Sequence, residues 1–246
     1  MAVPAPPAVL VDGVSLAYQH RMILERLTFT LEAARTTALL GPSGVGKSTL
    51  LRIIAGLLPP EAGEVRALDG LPLKGRIALM SQRDNLMPWL DCLANATIGP
   101  RLRGEAIDLE KAQAVLERLG LGHRLHARPD ELSGGERQRV ALARTLIENR
   151  SLVLMDEPFS ALDALTRARM QDLAGEVLRG CTVLLITHDP LEALRLADRI
   201  YVMSGQPVTL APIAVPEGAP PRSVHGADLL NQQGDLLERL MLSDAA

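Results

Sequence analysis

Apolar residues fall along this chain in three patterns, and each pattern predicts a different kind of element. Leu152-Val153-Leu154-Met155 is apolar throughout, as expected of a central parallel strand covered on both faces. Thr36-Thr37-Ala38-Leu39-Leu40 reads as another buried strand, and Thr182 to Thr187 and Arg199 to Met203 supply two more. The second pattern is partial alternation. Val14 to Tyr18 and Leu27 to Leu31, with Val9-Leu10-Val11 before them, predict antiparallel strands with one wet face. Gly63 to Leu68 and Arg76 to Met80 also read as strands, with Asp69-Gly70 and Lys74-Gly75 as turn signals nearby. The third pattern is helical spacing. It appears at Leu50, Leu51, Ile53, Ile54 and Leu57, stopped by Gly56 and Pro59-Pro60. It returns at Leu109, Ala112, Val115, Leu116 and Leu119 before Gly120, and at Val140, Leu142, Ala143, Leu146 and Ile147. Leu229, Leu230, Leu236, Leu237, Leu240 and Met241 predict a closing amphipathic helix. The prolines from Pro207 to Pro221 predict an extended tail before it.

Strands alternating with helices predict an α/β fold with a mainly parallel central sheet, an antiparallel β part and an inserted helical part. A length of 246 residues suits one large domain. The expected organisation is a single domain over 1–246: a core from 9–90 and 150–204, a helical subdomain over 91–149, and a tail with its helix over 205–246.

Composition narrows the class. With 47% hydrophobic and 22% charged residues, the chain has enough apolar mass for a real core. A net charge of −3 argues against nucleic acid as the main partner. No apolar run approaches the ~18 residues of a membrane span. Met1 to Leu10 lacks the basic and apolar regions of a signal peptide. Cys92 and Cys181 are unclustered, which fits buried or incidental thiols better than a disulfide or metal pair. The expectation is a cytoplasmic protein able to lie against a membrane through a partner.

The strongest chemical signal follows the strand ending at Leu40. Gly41-Pro42-Ser43-Gly44-Val45-Gly46-Lys47-Ser48-Thr49 fits G-x-x-x-x-G-K-[ST], a loop that cradles phosphates. Glycines let the backbone wrap an anion with its N–H groups, and the helix starting near Lys47 adds the positive end of its dipole. Lys47 then reaches the β- and γ-phosphates, and the Ser48 hydroxyl suits Mg²⁺. The bland reading, a glycine-rich turn, is weakened by the strand before the loop and the helix after it. Tyr18 stands one hairpin earlier, where an aromatic ring can stack on adenine or simply pack in its strand.

Three further strand ends carry polar groups. Gln82 lies in Ser81-Gln82-Arg83-Asp84, at the C-terminal end where ligands of open α/β sheets gather. Asp156-Glu157 ends the most apolar strand, an odd place for two acids unless one holds Mg²⁺ and the other polarises water. His188 ends a third strand, in reach of a γ-phosphate or merely structural. Ser133-Gly134-Gly135-Glu136 opens a helix as a capping box and presents a second set of N–H groups to an anion. Trp89, the only tryptophan, sits in an apolar loop that suits either a partner contact or local packing.

Together these residues resemble the ATP-binding subunit of ABC transporters over nearly the whole chain. The segments GPSGVGKST, LSGGERQR, LVLMDEP, SALD and ITHD occur in that family's order and spacing. The resemblance implies an ATPase with ATP and Mg²⁺ as cofactors. It implies that Tyr18 stacks on adenine, that the residues from Gly41 to Thr49 bind the phosphates, and that Ser48, Gln82 and Asp156 serve the metal. Glu157 is implied as the base for water, with His188 and Gln82 beside it. Ser133, Gly134, Gly135 and Glu136 would close on the ATP of a second copy, and Asp163 would sit at that dimer interface. The implied partners are a second ATPase copy, integral membrane permease subunits and a periplasmic or lipoprotein substrate-binding protein, without nucleic acid. The implied location is the cytoplasmic face of the inner membrane.

MSQRDNLMPWLDCLANATIG is similar to the nitrate, sulfonate and taurine importer group. GRIALMSQRDNLMPWL, VLMDEPFSALDALTRARMQDLA and THDPLEALRLADRI look most like ATPases of hydroxymethylpyrimidine (thiamine precursor) uptake, which sets the expected cargo. The alternatives are the same role in nitrate, sulfonate or taurine import, or a non-import ABC ATPase in lipid trafficking or repair. The span from Lys47 to Ser133 has no room for the long coiled coil of repair ATPases.

Overall fold

The computed structural model describes residues 5–19, 21–223 and 226–244. The chain opens with two long strands, β1 (Val9–Tyr18) and β2 (Arg21–Leu31), paired antiparallel. β1 is a single strand where the apolar pattern suggests two runs. Its register shifts between Val11 and Val14, and Gly13 (φ 59°) donates its N–H to Thr28 Oγ1 at 2.9 Å. This is a bulge: it breaks the alternation in sequence without ending the strand. β3 (Thr36–Leu40) leads through the glycine loop into α1 (Lys47–Ile54), and β4 (Ala62–Ala67) returns to the other side of β1. The antiparallel sheet therefore runs β2-β1-β4.

The second sheet has six strands. After β5 (Ile77–Met80), the chain is helical through α2 (Cys92–Ala96), α3 (Ile98–Leu102), α4 (Leu109–Arg118) and α5 (Gly134–Ile147). It then alternates through β6 (Leu152–Asp156), α6 (Ala164–Val177), β7 (Thr182–Ile186), α7 (Pro190–Leu196) and β8 (Arg199–Ser204). The order is β5-β6-β7-β3-β8-β9, with β9 spanning Thr209–Ile213, and every pair is parallel except the last. All five residues of β6 and of β7 are buried, as their unbroken apolar runs require.

β9 (Thr209–Ile213) corrects the extended tail expected from the prolines. It pairs antiparallel with β8 at the sheet edge, Pro212 lying opposite Tyr201. An edge strand pairs on one side only, so it tolerates a residue with no N–H. α8 (Ala227–Asp244) follows and buries Leu229 and Leu236 against the side of the sheet that carries α7. Among the described residues no helix is long and apolar enough to cross a membrane.

Two apolar clusters sandwich the parallel sheet. One joins α4, α5 and α6 to Met80, Val153, Met155 and Leu185. The other joins α1 and the antiparallel sheet to Leu39, Leu154, Leu184 and Ile186. Alternate residues of β6 and β7 thus face opposite cores, and every polar group at their C-terminal ends emerges at one edge. Asn95 pins the loop that carries Trp89 beside that edge. Its buried amide donates to the carbonyls of Met87, Leu90 and Asp91 and accepts from Met87 N–H. Arg144 of α5 caps the arrangement, donating to Asn95 Oδ1 at 3.0 Å.

Candidate active site

The glycine loop turns sharply because its residues can. At Gly41 (φ 154°) a Cβ would collide with the carbonyl of Met203 on the adjacent β8. Gly46 (φ 108°) is the N-cap of α1, and having no side chain it leaves the first-turn N–H groups to be satisfied from outside. Lys47 begins the helix and is buried. Its Nζ folds back to donate to the carbonyls of Gly41 at 2.7 Å and Pro42 at 2.8 Å. Burial holds its pKa below the ordinary lysine value, while Glu157 and Asp156 pull it back up.

The two acids at the end of β6 differ. Asp156 is buried, and that burial raises its carboxyl pKa; a hydrogen bond with the Ser48 side chain works against the rise. Glu157 has left the strand and sits in the left-handed region (φ 50°), with its N–H donating to Ile186 O at 2.9 Å. Its carboxylate meets groups from two other strand ends. Gln82 Nε2, beyond β5, lies 3.4 Å from Oε2, and His188 Nδ1, beyond β7, lies 3.3 Å from Oε1. Gln82, Glu157 and His188, spread over more than a hundred positions, therefore converge on one carboxylate.

They converge beside a cavity of about 670 Å³ lined by Tyr18, Ser43, Gly44, Gly46, Lys47, Ser48, Thr49, Gln82 and Glu157. Asp156 faces an adjoining recess together with Ser48 and Gln82. Tyr18 is exposed at the end of β1 rather than packed within its strand, so the stacking alternative fits its position. Gly41, Pro42 and Val45 do not line this cavity; Val45 points into the core beneath the loop.

Ser133, Gly134, Gly135, Glu136 and Asp163 are not brought to this cavity. Ser133 caps α5, accepting from Glu136 N–H at 3.2 Å. The Glu136 carboxylate bonds back to Ser133 N and Oγ, both at 2.8 Å, which lowers its pKa. Ser133 and Gly134 face solvent, as does Asp163, which caps α6 by accepting from Thr166 N–H at 3.0 Å.

Two residues near the site were not singled out from the sequence. Gln138, buried on α5, reaches the backbone of Glu157, and Glu192 of α7 is buried behind His188. A glutamine on an amphipathic helix usually faces water, so only its closeness to Ser133 marked Gln138. The apolar neighbours of Glu192 in PLEAL were its only signal.

A phosphate-type loop between a parallel strand and a helix, with a buried carboxylate at a nearby strand end, defines the class of P-loop nucleotide hydrolases. More narrowly, the chain belongs to the ABC transporter family, whose model matches residues 24–160. It is 44% identical over 237 residues to an uncharacterized ABC transporter ATP-binding protein of Haemophilus influenzae, covering 94% of this chain and 98% of that protein. It is 42% identical to an aliphatic sulfonates import ATP-binding protein of Rhodococcus jostii, covering 99% of this chain and 98% of that one. A third relative, from Paracoccus denitrificans and of the same description, is 42% identical over 98% of this chain and 95% of its own length. Among solved structures, the dimeric structure of a bacterial ABC transporter cassette superposes with a TM-score of 0.72 at 28% identity, covering 79% of this chain and 93% of that one. A post-hydrolysis dimer bound to ADP and Pi gives 0.71 at 30% identity, with the same coverage of both chains. The fold is that of an ABC ATPase, and the protein is an ATPase.

Proposed function

We propose that this ATPase works as a twofold pair on the cytoplasmic face of the inner membrane and powers import of aliphatic sulfonates through separate permease subunits. In this reading a soluble or lipid-anchored binding protein delivers the cargo. The observation that carries the catalytic part is the meeting of Gln82 and His188 on the Glu157 carboxylate beside the phosphate loop.

Tyr18 stacks on the adenine, and the loop N–H groups with Lys47 hold the phosphates. Asp156 suits Mg²⁺: it is a hard, buried carboxylate hydrogen-bonded to a hydroxyl that is itself a suitable oxygen ligand. Among the described residues there is no group of three His, Cys, Asp or Glu side chains that could hold a metal by itself. Ser48, Asp156 and Gln82 would therefore share the ion with the substrate's phosphate oxygens, and the bound ion would neutralise charge building on them. Glu157 accepts a proton from water as its oxygen attacks the γ-phosphorus and the bond to the β-phosphate oxygen breaks. His188 donates toward the γ-phosphate. Ser133, Gly134, Gly135 and Glu136 close on the ATP of the second copy, and Asp163 lies across that interface. A twofold pair is the arrangement in which two anion sites on one chain serve two nucleotides. The dimeric relatives support it.

The cargo reading rests on the relatives whose descriptions name one. They are aliphatic sulfonates import ATP-binding proteins and match this chain along nearly their whole length, whereas none of them speaks for the hydroxymethylpyrimidine expected from local stretches. The ATPase does not contact cargo, so local likeness in its sequence carries little substrate information.

Glu157→Gln should abolish ATP turnover, at least about a hundredfold, while ATP binding persists, and should hold the assembly closed. Undiminished phosphate release overturns the role of Glu157. Capture of that variant with its membrane partners should bring down a permease and a binding protein that retains an alkanesulfonate. A bound pyrimidine would replace the cargo and keep the mechanism; no membrane partner would leave only the ATPase.

A further inference from the structure

Glu157 is the one residue of the site whose backbone is sterically disfavoured. A non-glycine residue at φ 50° persists where its surroundings over-determine it. Here the peptide is gripped from both sides. Its N–H is held by Ile186 O, as described above. Its carbonyl accepts from Ser160 Oγ at 3.1 Å, from Ser160 N–H at 3.4 Å and from Gln138 Nε2 at 3.0 Å.

The first two donors lie three residues away in the same turn. Gln138 is different: it comes from α5, nineteen positions earlier, and is only 7% exposed. Its amide is fully engaged with this one turn. Nε2 also lies 3.3 Å from Ser160 Oγ, and Oε1 accepts from Ala161 N–H at 2.8 Å. One side chain thus fastens both ends of the segment from Glu157 to Ala161 to the body of α5.

The direction in which Glu157 projects its carboxylate is set by its φ and ψ, because these orient the Cα–Cβ bond. We infer that Gln138 is a positioning residue: by holding the Glu157 carbonyl it aims that carboxylate between Gln82 and His188. The inference rests on Glu157 being the base for water. A second consequence follows from where Gln138 sits. It is five residues after Ser133 on the same helix, so the helix start proposed to face the partner copy's ATP is rigidly joined to the peptide of Glu157. Seating of α5 on one nucleotide then bears on the chemistry at the other.

The test is Gln138→Glu. The glutamate has the same shape and can still accept from Ala161 N–H, but it sets a carboxylate oxygen against the Glu157 carbonyl in place of a donor. A misplacement of the base by a fraction of an ångström should lower kcat about tenfold to a hundredfold. KM for ATP and ATP affinity should stay within about twofold, because Gln138 does not line the nucleotide cavity. Gln138→Met, which keeps length and removes all three hydrogen bonds, should do the same and serves if the glutamate variant does not fold. In a Glu157→Gln background, Gln138→Met should cause no further loss of the residual turnover, since both changes act on one group. A folded Gln138 variant with wild-type kcat, a defect confined to KM, or fully additive losses in the double variant would each overturn the inference. If Glu157→Gln itself still hydrolyses ATP, the base assignment has failed and the fault is not with Gln138.

Discussion

Two helices of this chain begin with glycines and open N–H groups, and they are treated in opposite ways. α1 starts inside a wall built by the rest of the molecule: Lys47 is buried, Tyr18 arrives from one sheet, and Gln82 and Glu157 arrive from the other. α5 starts at the surface, with Ser133 and Gly134 exposed and the Glu136 carboxylate folded back on the turn. A phosphate at α1 would be met by a lysine, a hydroxyl and a carboxamide, with buried Asp156 and half-buried Glu157 beside them, all from one chain. A phosphate at α5 would be met by one turn of helix. The difference implies a division of labour. In the proposed mechanism the first site would determine whether nucleotide binds, and the second whether a bound nucleotide gains its last wall.

The largest effect should come from the enclosed site. Lys47→Ala removes the only ammonium in the cavity lining and should cost at least about a hundredfold in ATP affinity and hydrolysis. Nucleotide titration and phosphate release check it. Binding within a few-fold of wild type would mean that the loop amides suffice without the lysine.

The exposed site should fail differently. Gly134→Asp places a carboxylate in the first turn of α5, where it favours the isolated helix by about 0.3–1 kcal/mol. The nearest atom to a Cβ there is Arg137 Nη2 at 3.9 Å, so there is room. Thermal stability should hold or rise slightly, and ATP should still bind the single chain. Hydrolysis should fall about tenfold or more, because a negative charge now faces the partner's phosphates. Stability and activity moving in opposite directions is the signature sought. Unchanged hydrolysis would mean that α5 meets no phosphate.

Much of this was readable before the fold was known, and the reasons are local. Gly41 to Thr49 carry the loop's geometry in their own spacing, and Asp156-Glu157 stand out because charge rarely ends so apolar a strand. β6 and β7 are legible because burial on both faces leaves no alternation to misread. β9 was not, because proline reads as a break until the strand is known to lie at an edge. The left-handed peptide of Glu157 was not legible either. It is held by its own turn together with β7 and α5, which lie far away in sequence, and nothing in the dipeptide Asp-Glu signals it. Cargo is illegible in the ATPase for a simpler reason: in the proposed assembly other subunits would recognise it.

The smallest effect tests how dry the enclosed region is. Glu192 is 4% exposed, and its Oε1 has no hydrogen-bond partner among the described residues. With Glu157 and His188 it walls a cleft of about 20 Å³. Burial pushes its carboxyl up to about 8, Asp189 and Glu157 push the same way, and Arg167 and the Thr187 side chain oppose them. The folded chain thus keeps a proton on Glu192 that the unfolded chain releases near pH 4.3. Its contribution to stability is full below that value, falls as pH rises toward 8, and levels off above. Glu192→Gln keeps a neutral side chain of the same shape, so it should lose less stability over that range and exceed wild type at pH 8 by about 1 kcal/mol or more. Urea unfolding from pH 5 to pH 8.5 measures the gap. A gap independent of pH would mean that Glu192 is already ionised and that water or a cation reaches behind Glu157. The contrast between an enclosed first site and an exposed second one would then be one of shape alone, with no difference in polarity behind it.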